Sequence, residues 1–295
     1  MIHFTDKKEK RLKNIQKFIR HMPSLSTTVT KALEICNSPN ASPADLGSVI
    51  SLDPVLTGQV LKLVNSAYYS LLEKITSPGH AITLLGLNTV KNLVLGTAIL
   101  AGHRKKGLFQ GFTTDDFWGH CICVGVTAKC LAEIKGIPTS EREEYFVGGL
   151  VHDLGKIPLH GQFPDLYVRA LKIVQEGQDP LHQAETTVFG FDHCSTGKLI
   201  AEKWRLGETL CELLDRHHTP EAANEKNRQF IAIVSLANMY ANTLEIGAAG
   251  NHFPDETAPA ELLQLAGIEW AELSSLRETV LDDIEKAKIF LQVTQ

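Results

Sequence analysis

Apolar positions recur along this chain at helical spacing, and polar residues followed by proline mark where the helices should begin. Val60, Leu61 and Val64 lie three and four residues apart behind the pair Asp53-Pro54. Ser42-Pro43 and Ser77-Pro78 repeat the arrangement of an N-cap residue before a proline in the first turn. No long alternation of apolar and polar residues occurs, and no Asn-Gly or Asp-Gly turn joins two β-rich runs. The pattern therefore predicts an all-α protein.

The remaining helix signals cover most of the chain. The helix opened by Ser77 is expected to stop at Gly86, and Asn88 to cap the next one. Ser140 and Glu143 have the form of a capping box, for a helix that ends at Gly155. Further helices are predicted over 114–135, 164–176, 193–204, 207–217 and 228–245, and the tail 258–293 is also helical in pattern.

The distribution of histidine divides the chain into zones. Few histidines lie between residues 20 and 105, whereas they crowd between 112 and 245. We predict an N-terminal helical extension over 1–19, an N-terminal helical lobe over 20–110, a histidine-bearing lobe over 111–250 and a C-terminal helical segment over 251–295. Residues 20–295 are expected to form one compact unit.

Composition narrows the class of protein. The net charge of −5 gives no basic footprint for nucleic acid, and the lysines near the N-terminus are interleaved with acidic residues. The longest strongly apolar stretch, 93–101, is too short to span a membrane, and no secretory signal is visible. The six cysteines are scattered without zinc-finger spacing. We expect reduced thiols in a cytoplasmic protein.

Histidine and carboxylate side chains in the second lobe form a candidate metal site. They lie on or at the ends of predicted helices, and facing helices of a bundle can project such groups to one point. Imidazole with carboxylate favours iron or manganese, with zinc, nickel or magnesium as alternatives, and the lack of thiolate argues against a soft-metal site. The candidate ligands are His120, His152, Asp153, His193, His217 and His218.

Two pairs of these residues are adjacent in sequence, which restricts how they can share one metal ion. Neighbouring residues of a helix do not face the same way, so His152-Asp153 and His217-His218 would share a centre only at a helix end, or would serve neighbouring metals. A buried His-Asp pair also needs compensation, by a metal or by a mutual hydrogen bond with a cap. The other histidines, among them His160 and His182, are interpreted as ordinary core or surface groups.

The order His…His-Asp…His…His-His, with "HDLGK" in the middle, resembles the HD superfamily of helical metal-dependent phosphohydrolases. The N-terminal lobe resembles one branch of it, the HDOD family of bacterial signalling proteins, through "MPSLSTTVTKALEI", "DPVLTGQVLKLVNSAYY" and "AITLLGLNTVKNLVL". The stretches "GFDHCSTGKLIAEKW" and "LLDRHH" continue the likeness, which spans roughly residues 20–245.

The resemblance implies a mainly regulatory family built on a hydrolase core that has often lost its ligands. This chain keeps most of them, but Asn238 stands where catalytic relatives carry the final aspartate. Lys156 matches a position that contacts phosphate in those relatives, although a lysine after a helix-ending glycine is also a common surface residue. The Gly-Tyr-Pro signature of the cyclic di-GMP phosphodiesterases is missing after His218. Asp116, one turn before His120, is either an extra carboxylate ligand or, as we favour, a helix-start residue.

Two functional hypotheses follow. In the first, the protein is a regulatory module that binds a signalling partner or a small-molecule ligand, and its histidines form a structural or sensory metal site. In the second, it is a metal-dependent phosphohydrolase of a nucleotide or cyclic nucleotide, in which Asp153 holds the metal and Lys156 neutralises phosphate. An iron-dependent oxygenase would use similar ligands. Nucleic-acid binding is the weakest alternative, because the chain is acidic.

Overall fold

The computed structural model describes residues 2–38, 40–103, 111–177, 179–251 and 260–294, and within these ranges the chain forms helices and turns without any strand. The all-α prediction is confirmed. The α-helices are α1 Ile2–His21, α2 Thr27–Cys36, α3 Pro43–Ser51, α4 Pro54–Val64, α5 Pro78–Leu85, α6 Leu87–His103, α7 Thr114–Ile134, α8 Thr139–Val151, α9 Lys156–Gln162, α10 Pro164–Gln175, α11 Leu181–Phe189, α12 His193–Trp204, α13 Glu208–Arg216, α14 Glu225–Thr243, α15 Ala260–Ala266, α16 Trp270–Ser275, α17 Arg277–Ala287 and α18 Ile289–Gln292.

The proline-containing caps form as the sequence predicts. The side chain of Ser42 accepts from the backbone N–H of Asp45, that of Asp53 from Val55 and Leu56, and that of Ser77 from His80. Each satisfies an N–H group that the first helical turn leaves without a backbone acceptor. The helix after Gly86 starts at Leu87, so Asn88 lies inside α6 and does not cap it.

The start and end of α8 differ from the prediction. The helix begins at Thr139 behind Pro138 without a side-chain cap, and Ser140 lies in its first turn. Glu143 does not close a capping box, because its buried carboxylate pairs with the ammonium of Lys129 on α7. The helix ends at Val151, and Gly155 directly precedes α9. A buried ion pair between two helices has replaced the local cap.

The body of the molecule is arranged around α7 and α8, which pack along each other. Helices α2 to α6 form one side of the body, and α6 lies against α8. On the other side α14 packs on α7, and α12 packs on α9 and α13. The predicted N-terminal extension, now α1, packs on α9 and α12 of the histidine-bearing region, while α17 packs on α7. The segment boundaries proposed from the sequence stay predictions, and parts of them, 104–110 and 252–259, lie outside the described residues.

One described helix, α7, is long and apolar enough to cross a membrane by length and composition alone. Within the protein, 78% of its apolar window is buried against other helices. Such burial is typical of a core helix, and α7 carries His120 on its length. The apolar character of α7 therefore follows from its central place in the fold.

Candidate metal centre

The candidate ligands come from separate helices that end or cross at one point in the molecule. His120 lies within α7, His193 opens α12, and the His152-Asp153 pair follows α8. His217 and His218 follow α13. Of these residues only His218 is partly exposed; the others are at most 1% accessible to solvent. The structure thus brings together all six residues that the sequence singles out.

The His152-Asp153 pair can face one centre because the helix ends there. His152 is the C-cap of α8, and the chain turns before α9 begins at Lys156. Gly155 makes this turn fit: a Cβ atom at this position would lie 1.8 Å from the carbonyl oxygen of His193. Glycine therefore allows the start of α12 to lie directly on the turn, which carries His193 up to Asp153.

Asp153 lies at the middle of the cluster, and its two carboxylate oxygens face different histidines. Its Oδ1 is 3.2 Å from Nε2 of His193 and 3.8 Å from Nε2 of His217. Its Oδ2 is 3.2 Å from Nε2 of His152 and 3.9 Å from Nε2 of His120. The carboxylate therefore has a histidine group on each side.

Hydrogen bonds from Nδ1 orient two of the histidine rings. Nδ1 of His152 donates to the carbonyl oxygen of Gly149 at 2.7 Å, so its proton lies on that side of the ring. Nδ1 of His193 lies 2.6 Å from Oε2 of Glu185, which also accepts the backbone N–H of His193. Contacts of this kind keep the proton on Nδ1 and direct the Nε2 lone pair of a metal-binding histidine towards the ion.

The donor atoms fit a metal ion. Nε2 of His193 is 3.2 Å from Nε2 of His217 and 3.1 Å from Nε2 of His218. Ligand atoms with metal bonds of about 2.1 Å lie ~3.0–3.4 Å apart around a tetrahedral or octahedral ion. Nε2 of His152 and Oδ1 of Asp153 are buried and have no hydrogen-bond partner in the described structure. A cation beside Asp153 would satisfy the lone pair of Oδ1, which faces Nε2 of His193.

Burial and charge set the protonation states of the centre. Burial lowers the pKa of His120 to about 3 and that of His217 to about 3, and neighbouring His152 adds to both shifts. Burial would raise the pKa of Asp153, but His152 and the Lys156 ammonium hold it well below its usual range. The neutral imidazoles of His120 and His217 and the ionised carboxylate of Asp153 are the forms that bind a metal.

The remaining sequence candidates have different places. Oδ1 of Asn238, on α14, lies 3.1 Å from Nε2 of His120. The ammonium of Lys156 is fully buried and donates to Oδ2 of Asp153 at 2.6 Å. Asp116 lies outside the cluster, because its carboxylate accepts from the backbone and hydroxyl of Thr113 in a capping box.

Three residues at the centre escaped the sequence analysis. Glu185 is fully buried beside His193, on a helix that the pattern did not predict. The sulfur of Cys194 lies 3.8 Å from both ring nitrogens of His217, so one of the scattered cysteines lies beside the cluster. His182 stacks on His218 with ring centroids 4.2 Å apart. A polar residue buried only by tertiary packing gives no periodic signal in the sequence.

The family comparison matches this region and the N-terminal helices together. Residues 22–220 match the family model of the HDOD domain. A protein of uncharacterised function from Treponema pallidum (strain Nichols) is 27% identical over 255 residues, which is 85% of this chain and 46% of that protein. The chain therefore spans about half the length of that curated relative.

Solved structures share the fold at low sequence identity. An HDOD domain protein of unknown function from Geobacter sulfurreducens is 24% identical, with a TM-score of 0.76 over 95% of this chain and 97% of that one. A provisionally named phosphohydrolase from Shewanella amazonensis SB2B is 23% identical, with a TM-score of 0.71 over 95% and 98%. A provisionally named signal transduction protein from Marinobacter aquaeolei VT8 is 19% identical, with a TM-score of 0.72 over 98% and 66%.

Proposed function

Because the chain belongs to the HDOD family, we propose that it is a signal-transduction regulatory protein that binds a signalling partner or a small ligand around a retained metal centre. In this proposal the ion, iron or manganese by preference, organises the protein and does not turn over a substrate. The provisional name of the Marinobacter relative agrees with a signalling role.

The burial of the centre is the observation that carries the proposal. His152, Lys156 and His193 are 0% exposed and Asp153 is 1% exposed, so of the six candidate ligands only His218 is partly exposed. Structural metal sites are closed by protein ligands, whereas catalytic sites keep a position for water and substrate. A phosphodiester would have to displace packed side chains before it reached the ion.

The ligands would come from the histidine cluster and its central carboxylate. The donors form two groups, of which one is His193, Cys194, His217 and His218 and the other is His120, His152 and Asp153. Oδ1 of Asp153 lies 3.2 Å from Nε2 of His193, so the carboxylate also reaches the first group. A bound divalent ion would supply positive charge beside the buried carboxylate of Asp153. Its binding free energy would add to the stability of the folded state, which makes the fold responsive to metal.

A groove away from the metal centre supports the small-ligand part of the proposal. Its volume is about 330 Å³, and it lies where the linker before α2, the start of α4 and the end of α6 meet Trp204 of α12. Volumes of this order accommodate small molecules. Because α12 begins at His193, one helix joins the groove to the metal centre.

The test combines metal content with a hydrolysis assay. Untagged wild-type protein is expected to carry metal by mass spectrometry, Asp153→Asn to lose it, and circular dichroism to show that the variant folds. Wild type loaded with Mn²⁺ or Fe²⁺ is expected to leave bis(p-nitrophenyl) phosphate and a panel of nucleotides and cyclic nucleotides unchanged. Protein that takes up no metal after reconstitution would contradict the proposal.

The alternative function is a metal-dependent phosphohydrolase of a nucleotide or cyclic nucleotide. It is favoured by the position of Asp153 between two histidine groups, which is the arrangement a metal pair needs. The provisional name of the Shewanella relative points the same way. Hydrolysis by the wild type that disappears in Asp153→Asn would establish this alternative, and hydrolysis that persists would indicate a contaminating enzyme.

A further inference from the structure

The carboxylate of Asp153 separates two subsites with different surroundings. Its Oδ1 faces the three-histidine subsite, which we define as His193, His217 and His218. Its Oδ2 faces the two-histidine subsite, which we define as His120 and His152. A pair of metal ions bridged by Asp153 would need both oxygens.

A cation of the protein itself already lies against Oδ2. The ammonium of Lys156 donates to Oδ2 at 2.6 Å and to the carbonyl oxygen of Ala249 at 2.9 Å, and the side chain is fully buried. The segment of Ala249 is held in place in turn, because the backbone N–H of Ala248 donates to the carbonyl oxygen of Asp116 at 3.0 Å. The ammonium is therefore fixed from both sides.

The two-histidine subsite has little negative charge with which to attract a second ion. Its nearest further donor is Asn238, whose neutral amide oxygen lies 3.1 Å from Nε2 of His120. His152 adds a lone pair but no charge. An ion at Oδ2 would lie within a few ångströms of the buried ammonium, and their repulsion is poorly screened away from water.

The three-histidine subsite has the opposite character. Oδ1 of Asp153 is buried without a hydrogen-bond partner in the described structure and faces the converging Nε2 atoms. The Glu185 carboxyl lies 2.6 Å from Nδ1 of His193 and orients that ring, so that Nε2 faces this subsite. The lone pair of Oδ1 and the converging ring nitrogens direct a cation there.

We infer that Lys156 takes the place of a second metal ion, so that this protein holds one divalent ion, in the three-histidine subsite. The inference rests on the proposed metal centre and specifies its stoichiometry and position. Lys156 is then a positioning residue: it holds Asp153 with Oδ1 turned towards the ion.

The experiment is a titration of metal-free protein with Mn²⁺ alone, followed by mass spectrometry of the dialysed protein and by electron paramagnetic resonance. Wild type and His120→Gln are expected to bind one equivalent, with the hyperfine spectrum of an isolated Mn²⁺ ion. His218→Gln, the matched change in the other subsite, is expected to weaken binding at least about tenfold. Lys156→Met is expected to take up a second equivalent, and Lys156→Arg to stay at one.

The outcomes separate this inference from the proposed function. Two equivalents in the wild type, with a spin-coupled spectrum, would overturn the inference and leave the metal centre standing. Loss of the ion in His120→Gln but not in His218→Gln would do the same. A folded Lys156→Met protein that stops at one equivalent would overturn the role of Lys156. No binding to the wild type would overturn the metal centre and the inference together. If Lys156→Met does not fold, the comparison of His120→Gln with His218→Gln still tests the number and the position of the ion.

Discussion

At the scale of single residues, Gly155 determines whether the turn after α8 can lie on the start of α12. A Cβ atom there would come within 1.8 Å of the His193 carbonyl oxygen and 2.6 Å of the Gly197 nitrogen, both of them backbone atoms that cannot rotate away. We therefore expect Gly155→Ala to lower the free energy of unfolding by about 3 kcal/mol, as a severe case of overpacking. Urea denaturation of the metal-free protein measures this loss.

Gly161 provides the control for that substitution. It lies in the neighbouring helix α9, is exposed, and has open space where a Cβ atom would be added. Gly161→Ala is expected to be neutral or to stabilise the protein by up to about 1 kcal/mol, because alanine favours the helix. Equal stability of the two variants would mean that the turn and α12 are not in contact.

The candidate ligands of the centre could be predicted from the sequence, whereas the buried residues that contact them could not. His120, His152 and His217 could be found because their order matches a known motif. Glu185 could not, because an acidic residue eight positions before His193 reads as a solvated helix face until the fold buries it. Cys194 was set aside with the scattered thiols, although the first turn of α12 brings it to the cluster beside His193.

At the scale of elements, hydrogen bonds connect the end of α1 to α12, the helix that begins at His193. The ammonium of Lys203, near the end of α12, donates to the carbonyl oxygens of Ile19 at 2.7 Å, of Arg20 at 3.1 Å and of Met22, so it caps the C-terminus of α1. Lys203→Met is expected to cost about 2 kcal/mol through the loss of charge-assisted hydrogen bonds. Faster hydrogen exchange of the amides of α1 would accompany the loss.

Lys198 on the same helix is the matched control for Lys203. Its exposed ammonium pairs with Asp215 at 3.0 Å, and exposed ion pairs contribute little to stability. Lys198→Met should therefore change the free energy of unfolding by less than about 1 kcal/mol and leave exchange in α1 unaltered. If both variants protected α1 as well as the wild type, the capping contact would have no energetic role.

The starts of helices were predictable where a side-chain N-cap determines them. The caps at Ser42, Asp53 and Ser77 formed because each depends only on residues in its own first turn. The capping box expected at Ser140 failed because Glu143 found a partner on another helix, Lys129. Local patterns compete with tertiary contacts, and a buried ion pair displaces a solvent-exposed cap.

At the scale of the whole molecule, the fold class followed from periodicity and the absence of strand signals, but the place of the terminal helices did not. The N-terminal extension reads as a solvated basic helix, yet Ile15 and Ile19 are buried, on the helix that packs against α9 and α12. Which elements meet depends on contacts between residues nearly two hundred positions apart, such as Arg11 with the carbonyl oxygen of Val188. No window of sequence contains both partners.

The buried histidines give the whole molecule a predicted sensitivity to acid. Burial lowers the pKa of His160 to about 4, beside the values of about 3 for His120 and His217, whereas a histidine in the unfolded chain titrates near about 6.5. Between these values the unfolded chain binds protons that the folded chain excludes, so stability is complete above about pH 6.5 and falls as the pH drops. The three residues together would cost roughly 4 kcal/mol at pH 5.5.

Urea denaturation in EDTA at pH 7.5, 6.5 and 5.5 tests this acid sensitivity without a contribution from bound metal. We expect His160→Gln to reduce the pH slope below pH 6.5 by about one proton, because its side chain is only 5% exposed in the folded state. His21→Gln, which changes an exposed ring at the end of α1, is the matched control variant. A stability that stays level from pH 7.5 to 5.5 would show that the folded protein takes up the same protons as the unfolded chain, which requires water or local opening at the histidines.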